Sequence, residues 1–260
     1  MSIFKNTTCR LYLFFFILTL IFYWDTRDAG FVTDFLGWQT NFDNNPFWTV
    51  INPARTGIRS FYQFTHLQMY TLSSLFGTWG LPWFLVFIAL FALNGLLVFL
   101  LFDKLFRIFD VKNGPEIAFI AVLCFLLSPY QAEVVVWRAA YHYLTAFAMM
   151  LGYLLLVLKY LQKADKKYAI AANLIFVCSV FALEFFYLTP FLSAVLLLFW
   201  GLNEQKIPQL KRTIVSFVVT PLSILCLYLV TYKLTFDKWI AHYGSDAHKD
   251  ILSPEAFSTY

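Results

Sequence analysis

From residue 81 to residue 102 the chain runs for 22 residues without a charged side chain. A helix needs about 20 mainly apolar residues to cross the hydrocarbon core of a bilayer. A water-soluble domain has no place for such a run, so a membrane-crossing helix is the first constraint on this fold. Composition extends that constraint to the whole chain. Of its 260 residues, 60% are hydrophobic and only 13% are charged, where a soluble domain carries about 25% charged residues. So few charges cannot cover a water-facing surface. A disordered chain, a disulfide scaffold and an ordinary soluble enzyme are excluded. The four cysteines, Cys9, Cys124, Cys178 and Cys226, lie in or beside apolar runs without metal-ligand spacing. They read as small apolar residues of membrane helices.

The expected fold class is all-α: a polytopic membrane bundle of about seven transmembrane helices. The spans fall near 9–24, 81–102, 116–133, 139–158, a pair within 167–204, and 213–232. The first has no small-residue cleavage site after it and reads as an uncleaved anchor. The stretch 167–204 would be roughly 50 Å long as one helix, too long for one crossing. It reads as a hairpin turning at Glu184, its one internal charge.

Basic residues set the expected orientation. With the N-terminus in the cytoplasm, Lys5, Arg10, Lys104, Arg107, Lys112, Lys159, Lys163, Lys166, Lys167, Lys206, Lys211 and Arg212 fall inside. This obeys the positive-inside rule at each cytoplasmic loop. Most acids fall on the other face, among them Asp25, Asp28, Asp34, Glu133 and Glu184. Polar chemistry is therefore expected outside. The domain plan is a transmembrane module over 1–232, with a first outer loop at 25–80, and a polar outer segment at 233–260.

Three outer segments hold residues suited to chemistry. The first reads WDTRDAGFVTDFLGWQTNFDNN, with Asp28 and Asp34 flanking an apolar patch. That spacing suits a short helix holding carboxylates at the membrane surface, and 59–76 predicts a second interfacial helix. The second reads LSPYQAEVVVWRAAYHYLTA. Pro129 breaks the third span, and a helix starting near Glu133 is expected to run into the fourth. Glu133, Trp137 and Tyr141 would then share one face, and Arg138 and His142 the next. Charges at that depth are costly and tend to be paired or functional. The third segment is FALEFFYLTP, where Glu184 calls for a partner, either Arg138 or a substrate. Asn94 reads as a helix-packing hydrogen bond. No phosphate-loop, dinucleotide-loop, nucleophile-elbow or HExxH pattern occurs.

Taken in order, these segments resemble the GT-C fold of integral membrane glycosyltransferases, of the protein mannosyltransferase and lipid A aminoarabinose transferase type. The resemblance covers about residues 5–232. An acidic cluster follows the first span (Asp25, Asp28, Asp34), and LFGTWGLPWFLVFIALFALNGLLVFLLF looks like the second span of bacterial members. SPYQAEVVVWRAAYHYL is similar to the family's Pro…Glu-Ala-Val-x-Trp segment, and LEFFYLTPFL to its Lys-Glu…Pro segment. The chain departs from the family with Phe91 where many members have His, with Tyr141-His142-Tyr143-Leu144 in place of Arg-x-Asp-Leu-Leu, and with Leu183 in place of Lys.

The resemblance implies transfer of a sugar from a polyprenyl-phosphate donor to a glycan, lipid or protein acceptor at the outer face of a bilayer, with no nucleic acid involved. It implies Asp28 or Asp34 as general base, without separating the two. Asp25, Arg55, Arg59, Glu133, Trp137, Arg138, His142 and Glu184 would bind donor or acceptor. It assigns no cofactor firmly and leaves a divalent metal open. Family members are usually longer, so the expectation includes a shortened gene, a fragment or a minimal member. The alternatives are a non-enzymatic glycolipid transporter and a scaffold subunit of envelope polysaccharide assembly.

Overall fold

The computed structural model describes residues 2–29, 37, 40, 42, 44–50, 52, 61–202, 207 and 209–237. Among them every regular element is helical. The chain forms α1 (Ser2–Phe22), a 3-10 turn at Trp24–Thr26, a single helical turn at Phe47–Val50, and α2 (Gln63–Phe76). It continues through α3 (Gly80–Ile108), α4 (Gly114–Leu126), α5 (Ala132–Val136), α6 (Tyr141–Lys163), α7 (Lys166–Val180) and α8 (Thr189–Leu202). The final helix is α9 (Leu210–Phe236), which contains a π segment at Val215–Val219.

Four helical stretches among the described residues are long and apolar enough to cross a bilayer: Gly80–Ile108, Tyr141–Lys163, Glu184–Leu202 and Leu210–Phe236. The pair Gly114–Leu126 and Pro129–Val136 makes a fifth if its 53° bend is taken within one span. Proline 129 explains the bend, because it lacks an N–H and disfavours helical geometry in the residue before it. Two expected spans fall short. The apolar part of α1 is Thr7–Phe22, and α7 has 15 residues, about 22 Å of helix against a core about 30 Å thick. At the expected hairpin turn, a 3-10 turn over Glu184–Tyr187 separates α7 from α8. Helix α9 runs past the expected limit of 232, and 238–260 lie outside the described residues.

Helix α3 is the centre of the bundle, packed against α1, α4 and α6. Trp83, Phe84, Phe87, Ile88, Phe91 and Ala92 recur at helical spacing and are fully buried. Gly95 lets α4 approach: a Cβ there would lie 2.9 Å from the Leu126 methyls. Asn94, also fully buried, donates its amide to the Leu144 carbonyl of α6 at 3.0 Å. This is the helix-to-helix bond its place in an apolar run predicts. Helices α6 and α7 form a tight antiparallel pair. Ala164 adopts a left-handed conformation, and Asp165 caps α7 by accepting the Lys167 N–H at 3.0 Å, the usual service of an N-cap carboxylate.

The outer face of the bundle is apolar. Leu174, Leu198, Leu227 and Leu234 are exposed among many large apolar side chains on α7, α8 and α9. In water such a surface would be an aggregation site; against lipid tails it carries no penalty. Inside α9, Pro221 supplies no N–H to the turn before it. Two carbonyls in that turn accept from other helices. Asn173 of α7 donates to the Ser216 carbonyl at 3.2 Å, and Tyr153 of α6 reaches the Phe217 carbonyl at 3.5 Å. In hydrocarbon no water could do this, so the interhelical donors make the break tolerable.

Contacts sort the helix ends into two groups. At one end Lys104 of α3 meets Gln162 of α6 at 3.4 Å, and Phe109 meets Phe199 of α8 with ring centroids 6.1 Å apart. The basic loops lie here. At the other end Tyr23 donates to the Leu126 carbonyl at 3.0 Å, and Phe87 meets Tyr141 at 5.4 Å. Asp25, Asp28, Glu133, His142 and Glu184 all belong to elements at this second end.

Candidate functional site

The site at this end is built on the turn that joins α7 to α8. Leu183 is extended, and Glu184–Tyr187 form a 3-10 turn. Phe186 drives that turn inward. It is buried, with its ring 6.2 Å from Phe176 and 5.0 Å from Tyr228. Burying Phe186 leaves Glu184, two residues earlier, half-exposed.

The N-terminus of α2 docks onto this turn through three hydrogen bonds. The Phe64 N–H donates to the Phe181 carbonyl at 3.0 Å, and the Thr65 hydroxyl donates to the Ala182 carbonyl at 2.8 Å. The Tyr62 hydroxyl donates to Glu184 Oε1 at 2.6 Å. A bond that short to a carboxylate is at the strong end for side chains. His142, in the first turn of α6, lies beside Tyr62 with ring centroids 6.2 Å apart, and beside Tyr143 at 4.5 Å. Tyr143 in turn meets Phe185 at 6.0 Å. On the far side of the turn, Tyr187, Tyr228 and Tyr232 form a second aromatic group, joined by Phe61.

The structure thus brings two expected site residues, His142 and Glu184, to a common neighbour, Tyr62. Sequence reading missed Tyr62. Its partner lies 122 positions away, and no local spacing encodes that contact.

The acids after α1 form a different group. Asp25 is exposed in the Trp24–Thr26 turn. Asp28 is exposed and pairs with Arg27 at 3.1 Å. The Arg27 guanidinium also lies 4.9 Å from the Trp24 ring centre, and Trp24 rests on Phe84 of α3. Asp34, Arg55 and Arg59 lie outside the described residues, and so does the helix expected around Asp34.

The expected helix from Glu133 into the fourth span is interrupted, and this corrects the sequence reading. Trp137 is extended, with φ −77° and ψ 104°, and a 3-10 turn over Arg138–Ala140 precedes α6. Glu133, Trp137 and Tyr141 therefore do not share one helical face, and neither do Arg138 and His142. The break lets small and apolar groups on both sides of it, Val135, Ala139 and Ala140, be buried together. Glu133 is left exposed and Trp137 half-buried. Arg138 is described by its backbone alone.

His66, one turn into α2, is buried, and burial pushes its imidazole down to about 4 despite a bond to the Val50 carbonyl that favours the charged form. It is neutral at physiological pH and ties α2 to the Phe47–Val50 turn. Among the described residues no three His, Cys, Asp or Glu side chains converge as metal ligands. No protein-family model, curated protein or solved structure matches the chain.

Proposed function

We propose that this chain is an integral membrane glycosyltransferase that moves a sugar from a polyprenyl-phosphate donor to an acceptor hydroxyl at the outer face of the membrane. In this reading it crosses the bilayer seven times, with α1 and α7 as short crossings and the N-terminus and basic loops in the cytoplasm. The observation that carries the reading is the gathering of Glu184, Tyr62 and His142 at the end of the bundle opposite the basic loops. A carboxylate edged by aromatic rings is suited to a sugar: the acid accepts from hydroxyls and the rings cover the C–H face.

The reaction asks little of the protein beyond placement. A carboxylate of the first outer loop, Asp28 or Asp34, takes the proton of the acceptor hydroxyl. The acceptor oxygen bonds to the anomeric carbon as the bond from that carbon to the phosphate oxygen breaks. Polyprenyl phosphate leaves with the electron pair, and Arg55, Arg59 or Arg138 balances its charge by paired N–H donation. Glu184 and His142 hold the sugar, with Asp25, Glu133 and Trp137 around the rim. The donor is a lipid, so no nucleotide fold is needed.

A second reading, a non-enzymatic glycolipid transporter, has one observation in its favour. A π segment beside Pro221 lies inside the helix Leu210–Phe236, and irregular helices of this kind accompany transport sites. Vesicles loaded with a labelled polyprenyl-phosphate sugar separate the two. Under the enzyme reading the label leaves the lipid for an acceptor and free polyprenyl phosphate appears. Under the transporter reading the label stays on the lipid and changes leaflet. A scaffold subunit would do neither.

A further inference from the structure

We propose that an apolar groove at the basic end of the bundle holds one acyl chain of an anionic phospholipid, whose phosphate meets the neighbouring lysines. The groove encloses about 390 Å³ between α3, α6 and α8. Leu105 and Phe109 of α3, Leu158 of α6, and Leu196, Phe199 and Trp200 of α8 form its walls. Along α3 it extends from Leu101 to Phe109, about 12 Å at 1.5 Å per residue. One leaflet of hydrocarbon is about 15 Å deep. The length fits a chain within one leaflet and not a ligand that spans the bilayer.

The groove ends where Phe109 meets Phe199 edge to face, and cationic groups lie at this end. Lys112 sits in the turn whose Val111 N–H returns to the carbonyl of Phe106, itself a wall residue. Lys104 precedes Leu105 in the chain and reaches across to Gln162. Lys159 follows Leu158, with its Nζ 6.0 Å from the Tyr168 ring centre of α7, and Lys163 is one turn further on. Two of the acids at this end are already paired, Asp103 with Arg107 at 3.0 Å and Asp165 with Lys167 at 2.7 Å. Asp110 and Glu116 are the other described acids nearby, so the four lysines leave a positive surplus. An apolar slot ending at a cationic rim complements an amphiphile with an anionic head. A zwitterionic lipid fills the same slot but gains little at the rim.

The full chain in nanodiscs of equal phosphatidylglycerol and phosphatidylcholine, released into native mass spectrometry, reports which lipids it keeps. The expected result is preferential retention of phosphatidylglycerol. Replacing Lys104→Gln, Lys112→Gln and Lys159→Gln together reduces that preference, by about fivefold for each lysine in contact with the phosphate. Leu196→Trp, which fills the slot, lowers retention of both lipids. Equal retention by the wild type overturns the proposal. So does a preference unchanged by the lysine replacements, which would mean contact elsewhere on the surface. Lys112 and Lys159 are exposed, so the lysine variants decide the question even if Leu196→Trp fails to assemble.

Discussion

The Tyr62 hydroxyl lies 2.6 Å from Glu184 Oε1, joining the start of α2 to the turn between α7 and α8. Two backbone acceptors in the same turn, at Phe181 and Ala182, receive the Phe64 N–H and the Thr65 hydroxyl. The segment between α1 and α3 is thereby anchored to the second half of the bundle.

Tyr62→Phe removes the donor and leaves the ring in place. The expected cost is about 1–2 kcal/mol, the range for a hydrogen bond to a carboxylate that keeps some access to water. Glu184→Gln retains an acceptor and should cost less. Thermal melts of both single variants and the double variant give the coupling between them. A coupling indistinguishable from zero would mean that the contact contributes nothing in solution.

His66 predicts a pH dependence of defined sign. Its folded-state value of about 4 lies below the ordinary imidazole value of 6.5. The unfolded chain therefore binds the proton first as pH falls. The stability His66 confers is complete above about pH 6.5, declines as pH drops, and is exhausted near pH 4, with a total of at most about 3 kcal/mol. His66→Gln should flatten the melting temperature between pH 7 and pH 5. An equally steep profile in the variant would remove His66 from the account.

The break in α9 yields a coupled pair of substitutions. Asn173→Leu strands the Ser216 carbonyl in hydrocarbon and should cost about 1 kcal/mol, within the range measured for interhelical bonds in membranes. Pro221→Ala restores the missing N–H. In that background the cost of Asn173→Leu should shrink, because the carbonyls regain a donor within their own helix. Melts of the four proteins test this, and strict additivity would reject the explanation given for the π segment.

Orientation is testable by single-cysteine labelling in a background lacking Cys9, Cys124, Cys178 and Cys226. Cysteines at Lys112 and Lys163 should react only after the bilayer is permeabilised in intact cells. Cysteines at Asp28 and Tyr130 should react from outside. Labelling of all four from the same side would contradict the seven-crossing reading.

The bundle was legible where the signal is local. The charge-free run at 81–102 lies within the central helix Gly80–Ile108, and the lone Glu184 falls in the 3-10 turn between α7 and α8. The spacing of Phe61, Phe64, Leu72, Leu75 and Phe76 suggests an interfacial helix over 59–76, and α2 forms a helix over Gln63–Phe76 of that range. Crossing number was harder, because α7 is shorter than the bilayer core and is set by packing against α6 more than by length. The i, i+4 pattern at Glu133–Tyr141 misled, because burying Ala139 and Ala140 against the core overrode helical continuity at Trp137. The site was half legible. Glu184 and His142 stood out as polar groups beside apolar runs, but their meeting through Tyr62 depends on tertiary folding.

Catalysis is the central claim, and its most direct measurement is sugar transfer from a labelled polyprenyl-phosphate sugar pool in membranes. Wild type would be compared with Asp28→Asn, Asp34→Asn and Glu184→Gln at matched expression. The account predicts transfer by the wild type, its loss by 10²-fold or more in whichever aspartate variant lacks the base, as is typical for a general base, and a raised donor KM in Glu184→Gln. Transfer that survives undiminished in all three variants, or a wild type that moves no sugar from any donor supplied, would contradict it.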